Sequence, residues 1–266
     1  MHRFHLPPER CQGPILALDA GQAHHASRVL RLQPGAPAIV LDGAGREWHC
    51  EIASIARQAV ELHVRTTHTS PPPPFQLTLL QAIPKGKLMD LVVQKATELG
   101  ATRIVPLLAE RVVTQLDEQK GTARAEHWRQ VAIEAIKQCG SAWLPTIDAP
   151  IPLDEWCARR ESFDLALLAS LEPERTHPRR NFDAFQKQHG RLPQSCALYI
   201  GPEGDFTAKE IAALKAAGAQ PISLGRLVLR TETAALCGLS VLSYEWEAQR
   251  ATGPARGSSS PDVPDA

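Results

Sequence analysis

The chain has 266 residues, 43% of them hydrophobic and 22% charged, the balance of a soluble globular protein long enough for one large domain or two ordinary ones. Lysine plus arginine equals aspartate plus glutamate at 29 each, so no global charge argues for a nucleic-acid partner, although a local basic patch is allowed. No apolar run approaches the roughly 18 to 20 residues of a membrane span, and the amino terminus lacks a basic-then-apolar leader, which predicts a cytoplasmic protein with no membrane partner. The six cysteines never form Cys-x-x-Cys and read as free thiols, with Cys139, Cys196 and Cys237 placed in apolar patterns as small buried hydrophobes. Histidines crowd the first seventy residues, but no pair has a ligand spacing, so no metal site is expected.

In chain order, short strand-like runs at 14–18, 38–41, 48–55 and 59–64 alternate with turn signals such as Gln33-Pro34-Gly35 and Asp42-Gly43-Ala44-Gly45, the pattern of a small β-barrel over residues 1–70. A helical interruption at 23–32 presents Arg28 and Arg31, which could meet phosphate, though an exposed solvated pair is the commoner explanation. Ser70 and the four prolines that follow form a stiff spacer and a domain boundary. Beyond it the period changes. A buried strand is predicted at 75–83, then a helix on which Leu88, Val92, Ala96 and Leu99 recur up to Gly100, then a strand at 103–108. Trp128, Val131, Ala132, Ala135, Ile136 and Cys139 mark the clearest helix in the chain. A strand at 164–170, a polar basic connector containing Arg175, two further strands at 196–200 and 221–224 and a last helix at 232–246 complete the part from 75 to 250. This alternation predicts a mainly parallel sheet covered on both faces. Residues 251–266, rich in Gly, Ser, Pro and Asp, are expected to be a disordered tail.

Two segments look like catalytic loops at the carboxyl edge of that sheet, where open α/β sheets bind ligands. The first is Ile200-Gly201-Pro202-Glu203-Gly204-Asp205-Phe206-Thr207, in which the glycines permit a sharp turn and close approach of a ligand. Thr207-Ala208-Lys209-Glu210 then has capping-box spacing and starts a helix. The second runs from Leu224-Gly225 to Leu229-Arg230-Thr231-Glu232-Thr233-Ala234. There is no P-loop, no Gly-x-Gly-x-x-Gly after the first strand of this part and no Gly-x-Ser-x-Gly elbow, which disfavours an NTPase, a classical dehydrogenase or a hydrolase.

These residues resemble the RsmE family, the 16S ribosomal RNA uridine-N3 methyltransferases of the SPOUT class. The likeness covers nearly the whole chain and includes the Val29-Leu30-Arg31 stretch, Lys85-Gly86-Lys87 running into Gln94-Lys95-Ala96-Thr97-Glu98-Leu99-Gly100, the strand end before Arg111, and Gln138-Cys139-Gly140. The resemblance implies a PUA-like β-barrel followed by an α/β domain with a carboxyl-terminal trefoil knot, a homodimer, and S-adenosylmethionine held by the knot loops. Its pocket would be formed by Leu168 and Ala169, by Ile200, Gly201, Pro202, Glu203 and Gly204, and by Ser223, Leu224, Gly225 and Leu229. Asp205 stands where the family usually has another glycine, Lys137 where it has glutamate and Ser141 where arginine is common.

Uracil N3 carries a proton at neutral pH, so its methylation needs the anion to be formed or stabilised while the nitrogen is held in line with the methyl group. Arg230 is the candidate for stabilising charge on the uracil oxygens, and Glu232 for orienting Arg230 or accepting the proton. Arg28, Arg31, Lys85, Lys87 and Arg111 are the candidate RNA contacts, with 16S rRNA in the small ribosomal subunit as the implied partner. Two alternatives stay open: a ribose 2′-O-methyltransferase of the same class, and a non-catalytic RNA-binding or assembly protein.

Overall fold

A computed structural model describes residues 1–56, 59–112 and 118–252. The amino-terminal part is built on five strands: β1 (His2–His5), β2 (Ile15–Ala17), β3 (Pro37–Leu41), β4 (Arg46–Ile55) and β5 (Val60–Thr69), in the order β1-β3-β4-β5-β2. β1 pairs parallel with β3, and the remaining neighbours are antiparallel. Alternating inward residues bury Phe4, Leu16, Val40, Ile52 and Leu62 in one core. Strand β1 was not anticipated, because Met1-His2-Arg3-Phe4-His5 carries too few apolar residues to declare a strand. The interruption between β2 and β3 is a short helix α1 (Ala20–His24), capped by the Asp19 carboxylate accepting from Gln22 N at 2.8 Å, and it continues as a π-helical turn over His25–Val29.

The carboxyl-terminal part alternates strand and helix: β6 (Gln76–Ala82), α2 (Leu88–Glu98), β7 (Arg103–Leu108), α3 (Glu118–Cys139), β8 (Thr146–Ile147), β9 (Ile151–Pro152), α4 (Leu153–Ala158), β10 (Leu165–Ala169), α5 (Pro178–His189), β11 (Ser195–Ile200), α6 (Ala208–Ala216), β12 (Gln220–Ile222) and α7 (Thr231–Thr252). Its sheet runs β12-β10-β11-β6-β7-β8, with β9 also on β7, and every pairing is parallel. Both faces are covered, which is why the strands read as continuous apolar runs. One face buries Leu77, Leu79, Leu167, Leu198 and Ile200 against α2, α5 and α7, and the other buries Leu80, Val105, Leu168 and Tyr199 against α4 and α6.

The segment read as a polar connector becomes helix α5 from Pro178 onward. Its mean character is polar, yet Phe182 and Phe185 at i, i+3 give it one buried edge, and Gly190 ends it at φ +67°. Cys139, expected to be buried, is exposed, because it lies in the last turn of α3 where the helix leaves the core; all six thiols are free. The expected tail over 251–266 falls outside the described residues from 253 onward. The two parts are joined by Gly45 N donating to Ala142 O, Leu144 N to Gly43 O and Trp143 Nε1 to Pro71 O, at 2.9, 3.0 and 2.9 Å. Lys137 and Ser141 sit at this junction. Lys137 pairs with Glu134 at 2.8 Å, and the Ser141 hydroxyl donates to Trp143 O at 2.9 Å.

Candidate active site

Three strand ends converge at the carboxyl edge of the sheet. After β10, β11 and β12 the chain forms loops at 170–176, 201–207 and 223–230, and these enclose a cavity of about 490 Å³. Hydrogen bonds from Ser170 N to Ile222 O (3.1 Å), Thr176 N to Pro221 O (3.0 Å) and Ser223 N to Thr176 O (2.8 Å) lace the first and third loops together. The side chain of Arg175 reinforces the first loop, its Nη1 donating to Leu171 O and Glu172 O, both at 2.8 Å.

The floor is set by the start of α7. Thr231, buried, donates its hydroxyl to Gly201 O at 2.6 Å and accepts from Gln81 Nε2 at 2.9 Å; Gln81, fully buried in β6, also donates to Ala82 O at 2.8 Å. A Cβ at Gly201 would lie 2.8 Å from Asp205 Oδ1 and 3.2 Å from Phe206 N, so any larger residue requires the Asp205 carboxylate and the Phe206 backbone to shift. Asp205 holds φ +59°, the left-handed region in which glycine is unstrained and aspartate is tolerated. Its Oδ1 accepts from Phe206 N at 2.8 Å. Burial pushes the Asp205 carboxyl above the ordinary range, a shift opposed by the Phe206 amide and by Arg111 and assisted by Glu172.

Of the expected cofactor residues, Ala169, Ile200, Gly201, Pro202, Glu203, Ser223, Leu224, Gly225 and Leu229 line the cavity, and so do Arg230 and Glu232. Leu168 does not. Strand alternation turns it to the opposite face, into the core beside Tyr199. Gly204 also stays out of the lining: it is exposed, and its carbonyl accepts a hydrogen bond from Arg111 Nη1. Arg230 is exposed and Glu232 half-exposed, and among the described residues neither side chain has a hydrogen-bond or ion-pair partner. Of the expected RNA contacts, Lys85 and Arg111 adjoin the 201–207 loop through Lys85 N to Glu203 Oε1 at 2.8 Å and through Arg111 to Gly204, and Lys87 is on the same turn as Lys85. Arg28 and Arg31 are exposed on the amino-terminal part, Arg31 at φ +51°.

Sequence reasoning missed Ser170, Leu171 and Arg175, which line the first loop, Leu88 and Ala234, and the Gln81–Thr231 pair beneath them. Gln81 had a signal: it is a long polar side chain inside the otherwise apolar stretch 79–83, and such a residue needs a buried partner.

The cavity suits a nucleoside-sized ligand. Its volume lies within the roughly 300–1,000 Å³ of small-molecule sites, and its walls combine Leu88, Ala169, Ile200, Leu224 and Leu229 with the carboxylates Glu203, Asp205 and Glu232 and the guanidinium of Arg230. An apolar slot for a base next to anionic groups for hydroxyls and cations matches the donor set of S-adenosylmethionine. Fold and site together define an RNA methyltransferase with a PUA domain beside its α/β domain, and the matching sequence families are an RNA methyltransferase domain over residues 71–243 and an RNA methyltransferase PUA domain over 18–65. Ribosomal RNA small subunit methyltransferase E of Synechocystis is 33% identical over 91% of this chain and 77% of its own length, and that of Bacillus subtilis is 30% identical over 90% and 93%. Among solved structures, methyltransferase E of Neisseria gonorrhoeae bound to S-adenosylmethionine superposes with a TM-score of 0.80 at 27% identity, covering 92% of this chain and 98% of that one. A Legionella pneumophila protein in complex with the same bound cofactor gives 0.80 at 32% identity, covering 91% and 96%. The chain belongs to the family of ribosomal RNA small subunit methyltransferase E.

Proposed function

We propose that this protein methylates N3 of a specific uridine in 16S rRNA of the small ribosomal subunit, with S-adenosylmethionine as methyl donor. The observation that carries the reading is the pair Arg230 and Glu232 on the lining of a nucleoside-sized cavity, both without partners among the described residues. An unengaged guanidinium at a site edge is available to a ligand, whereas structural arginines are usually spent on carboxylates or carbonyls, as Arg175 is here. When bound, the donor supplies an electrophilic methyl on a sulfonium.

The chain's own residues do the rest. The Gly201 turn and the 223–230 loop hold the reactants in line, which removes entropy from the barrier. Arg230 stabilises the charge that spreads over the uracil oxygens as the N3 proton leaves, an effect worth about 3–4 kcal/mol by oxyanion-hole comparison. Glu232, which forms no ion pair with Arg230 among the described residues, is the carboxylate on the cavity lining available to accept the proton. Lys85, Lys87 and Arg111 next to the cavity, with Arg28 and Arg31 on the amino-terminal part, neutralise RNA phosphate. The division of labour follows the sequence boundaries, an RNA-binding PUA-like part over 1–70 and a methyltransferase part over 75–250.

We further infer that the protein works as a homodimer and that the carboxyl-terminal chain is knotted. Tyr244 on α7, 72% exposed, together with Leu227 and Val228 of the cavity-lining 223–230 loop at 79% and 76%, leaves apolar surface to cover. The lacing of that loop to 170–176, followed by insertion of Thr231 beneath Gly201, supports a threaded path. The test of function is transfer of labelled methyl from S-adenosylmethionine to small subunits lacking their own modification, followed by reverse transcription. A methyl on N3 blocks base pairing, so one new stop at a uridine is expected; incorporation without a stop, with label on ribose after nuclease digestion, refutes base methylation.

A further inference from the structure

Glu203 stands in the wall of the cavity, yet its carboxylate is already engaged. Its Oε1 accepts a hydrogen bond from the backbone N of Lys85 at 2.8 Å, across 118 positions of sequence. The contact reaches the turn at 84–87 between β6 and α2, where Gly86 takes φ +67° and Lys85, Gly86 and Lys87 are all exposed. Upstream the chain is anchored by Ile83 N to Leu107 O at 3.1 Å, and downstream by Asp90 N to Lys87 O at 3.2 Å. Between these anchors it is Glu203 that holds the turn. The next residues of the same loop hold a second cation, since Arg111 Nη1 donates to Gly204 O and, at 3.4 Å, to Asp205 O. The 202–205 loop therefore touches the cavity on one side and two cation-bearing segments on the other.

We propose that Glu203 is a positioning residue for the RNA substrate: its carboxylate fixes the 84–87 turn so that the Lys85 and Lys87 ammonium groups meet RNA phosphate beside the cavity. This rests on the reading of those lysines as RNA contacts. A carboxylate placed among cations lowers local positive charge, which by itself opposes phosphate binding; what it contributes is the geometry of the turn, and a neutral acceptor of the same shape does the same. The acceptor, more than the charge, is the functional feature.

The experiment uses the full chain, labelled S-adenosylmethionine and unmodified small subunits. Glu203→Ala is expected to raise the KM for subunits about tenfold or more, the effect of losing one hydrogen bond to a charged group, and by clearly more than any accompanying loss of donor affinity measured by calorimetry. Glu203→Gln, which keeps the acceptor, restores KM. A fall in donor affinity matching the rise in KM makes Glu203 a cofactor ligand and overturns the proposal, as does an unchanged KM in Glu203→Ala or a failure of Glu203→Gln to rescue. Lys85→Ala with Lys87→Ala separates the two readings. If it flattens the salt dependence of subunit binding and Glu203→Ala leaves KM unchanged, positioning falls and the RNA contact stands; if the salt slope is that of the wild type, both fall.

Discussion

Replacing Thr231 by valine keeps the shape of the side chain and removes its hydroxyl, which connects two parts of the site. The hydroxyl donates to Gly201 O at 2.6 Å and accepts from Gln81 Nε2 at 2.9 Å, at a residue only 4% exposed. Gln81 has no exposed surface, and its Oε1 lacks a partner among the described residues, so this amide cannot recover a lost bond by turning to water. The variant leaves Gly201 O without that donor and reduces Gln81 Nε2 to one acceptor, Ala82 O. At about 1–3 kcal/mol for each buried group left short, and with Ala82 O still serving Gln81, the expected loss is about 2–3 kcal/mol. For a chain of this size each kcal/mol moves Tm by about 2–4 °C, so thermal denaturation followed by circular dichroism should show a fall of roughly 4–12 °C. Donor affinity should fall with it, because the Gly201 turn loses its support. Thr231→Ser keeps the hydroxyl and removes one methyl, a change of about 1 kcal/mol. The reasoning fails if Thr231→Val melts within about 1 °C of the wild type, or if the serine variant is as damaged as the valine one.

Gly201→Ala places a methyl 2.8 Å from Asp205 Oδ1 and 3.2 Å from a backbone nitrogen, so calorimetry should find donor affinity down at least about tenfold, the cost of a 1.4 kcal/mol distortion; wild-type affinity would show that the turn yields. Asp205→Ala keeps the left-handed residue and loses the bond from Phe206 N, whereas Asp205→Gly relieves the strain, so denaturant titration should rank the alanine variant about 1 kcal/mol below the glycine one. In Gly238→Ala the new Cβ meets Leu198 Cδ2 at 2.7 Å, and overpacking of about 1–3 kcal/mol outweighs the helix propensity gain of about 1 kcal/mol, so a lower Tm is expected. Asp164 accepts from Arg191 Nη1 and Nη2 at 2.8 Å each and from Gln194 N at 2.6 Å, and its pKa is held down to about 2, chiefly by Arg191. A depressed carboxyl contributes stability above its unfolded pKa near 4 and loses it as pH falls toward 2. Solvent around Arg191 screens the pair, so Asp164→Asn should cost about 1 kcal/mol at pH 7 and much less at pH 2, where the folded-state carboxyl is about half protonated; an equal cost at both pH values would contradict the assignment.

The parts of the fold legible in the sequence are those where one physical signal acts alone. Leu88, Val92 and Ala96 give α2 its period, Arg103–Leu108 is a short apolar run with turn residues on both sides, and Thr207 with Glu210 forms the reciprocal cap, Thr207 N donating to Glu210 Oε2 at 2.8 Å and Glu210 N to Thr207 Oγ1 at 3.3 Å. Elements that depend on partners far along the chain were illegible. β8 and β9 are two residues each and exist only because β7 offers an edge. β1 is defined by its register on β3, and α5 by two phenylalanines that find the far side of the sheet. Leu168 and Ala169 show the same limit within the site: adjacent residues of one strand share a sequence signal, but the pleat sends one to the core and the other to the cavity.

Asp205 shows how such a limit can still be informative. The family resemblance implies glycine at this position, which leaves open whether the loop changes shape or the residue bears strain. The backbone answers with φ +59°, a conformation that glycine adopts freely and in which the aspartate side chain is accommodated. The accommodation is local: the carboxylate caps Phe206 N, and the missing side chain of Gly201 provides the space in which Oδ1 lies. Gly201 and Asp205 are thus one unit, and neither can be exchanged without regard to the other. It follows that Asp205→Gly should soften the Gly201→Ala defect, because the atom nearest the new methyl is removed, while the contact with Phe206 N at 3.2 Å keeps the rescue partial. Strictly additive losses of donor affinity in the double variant would show that the two residues act separately.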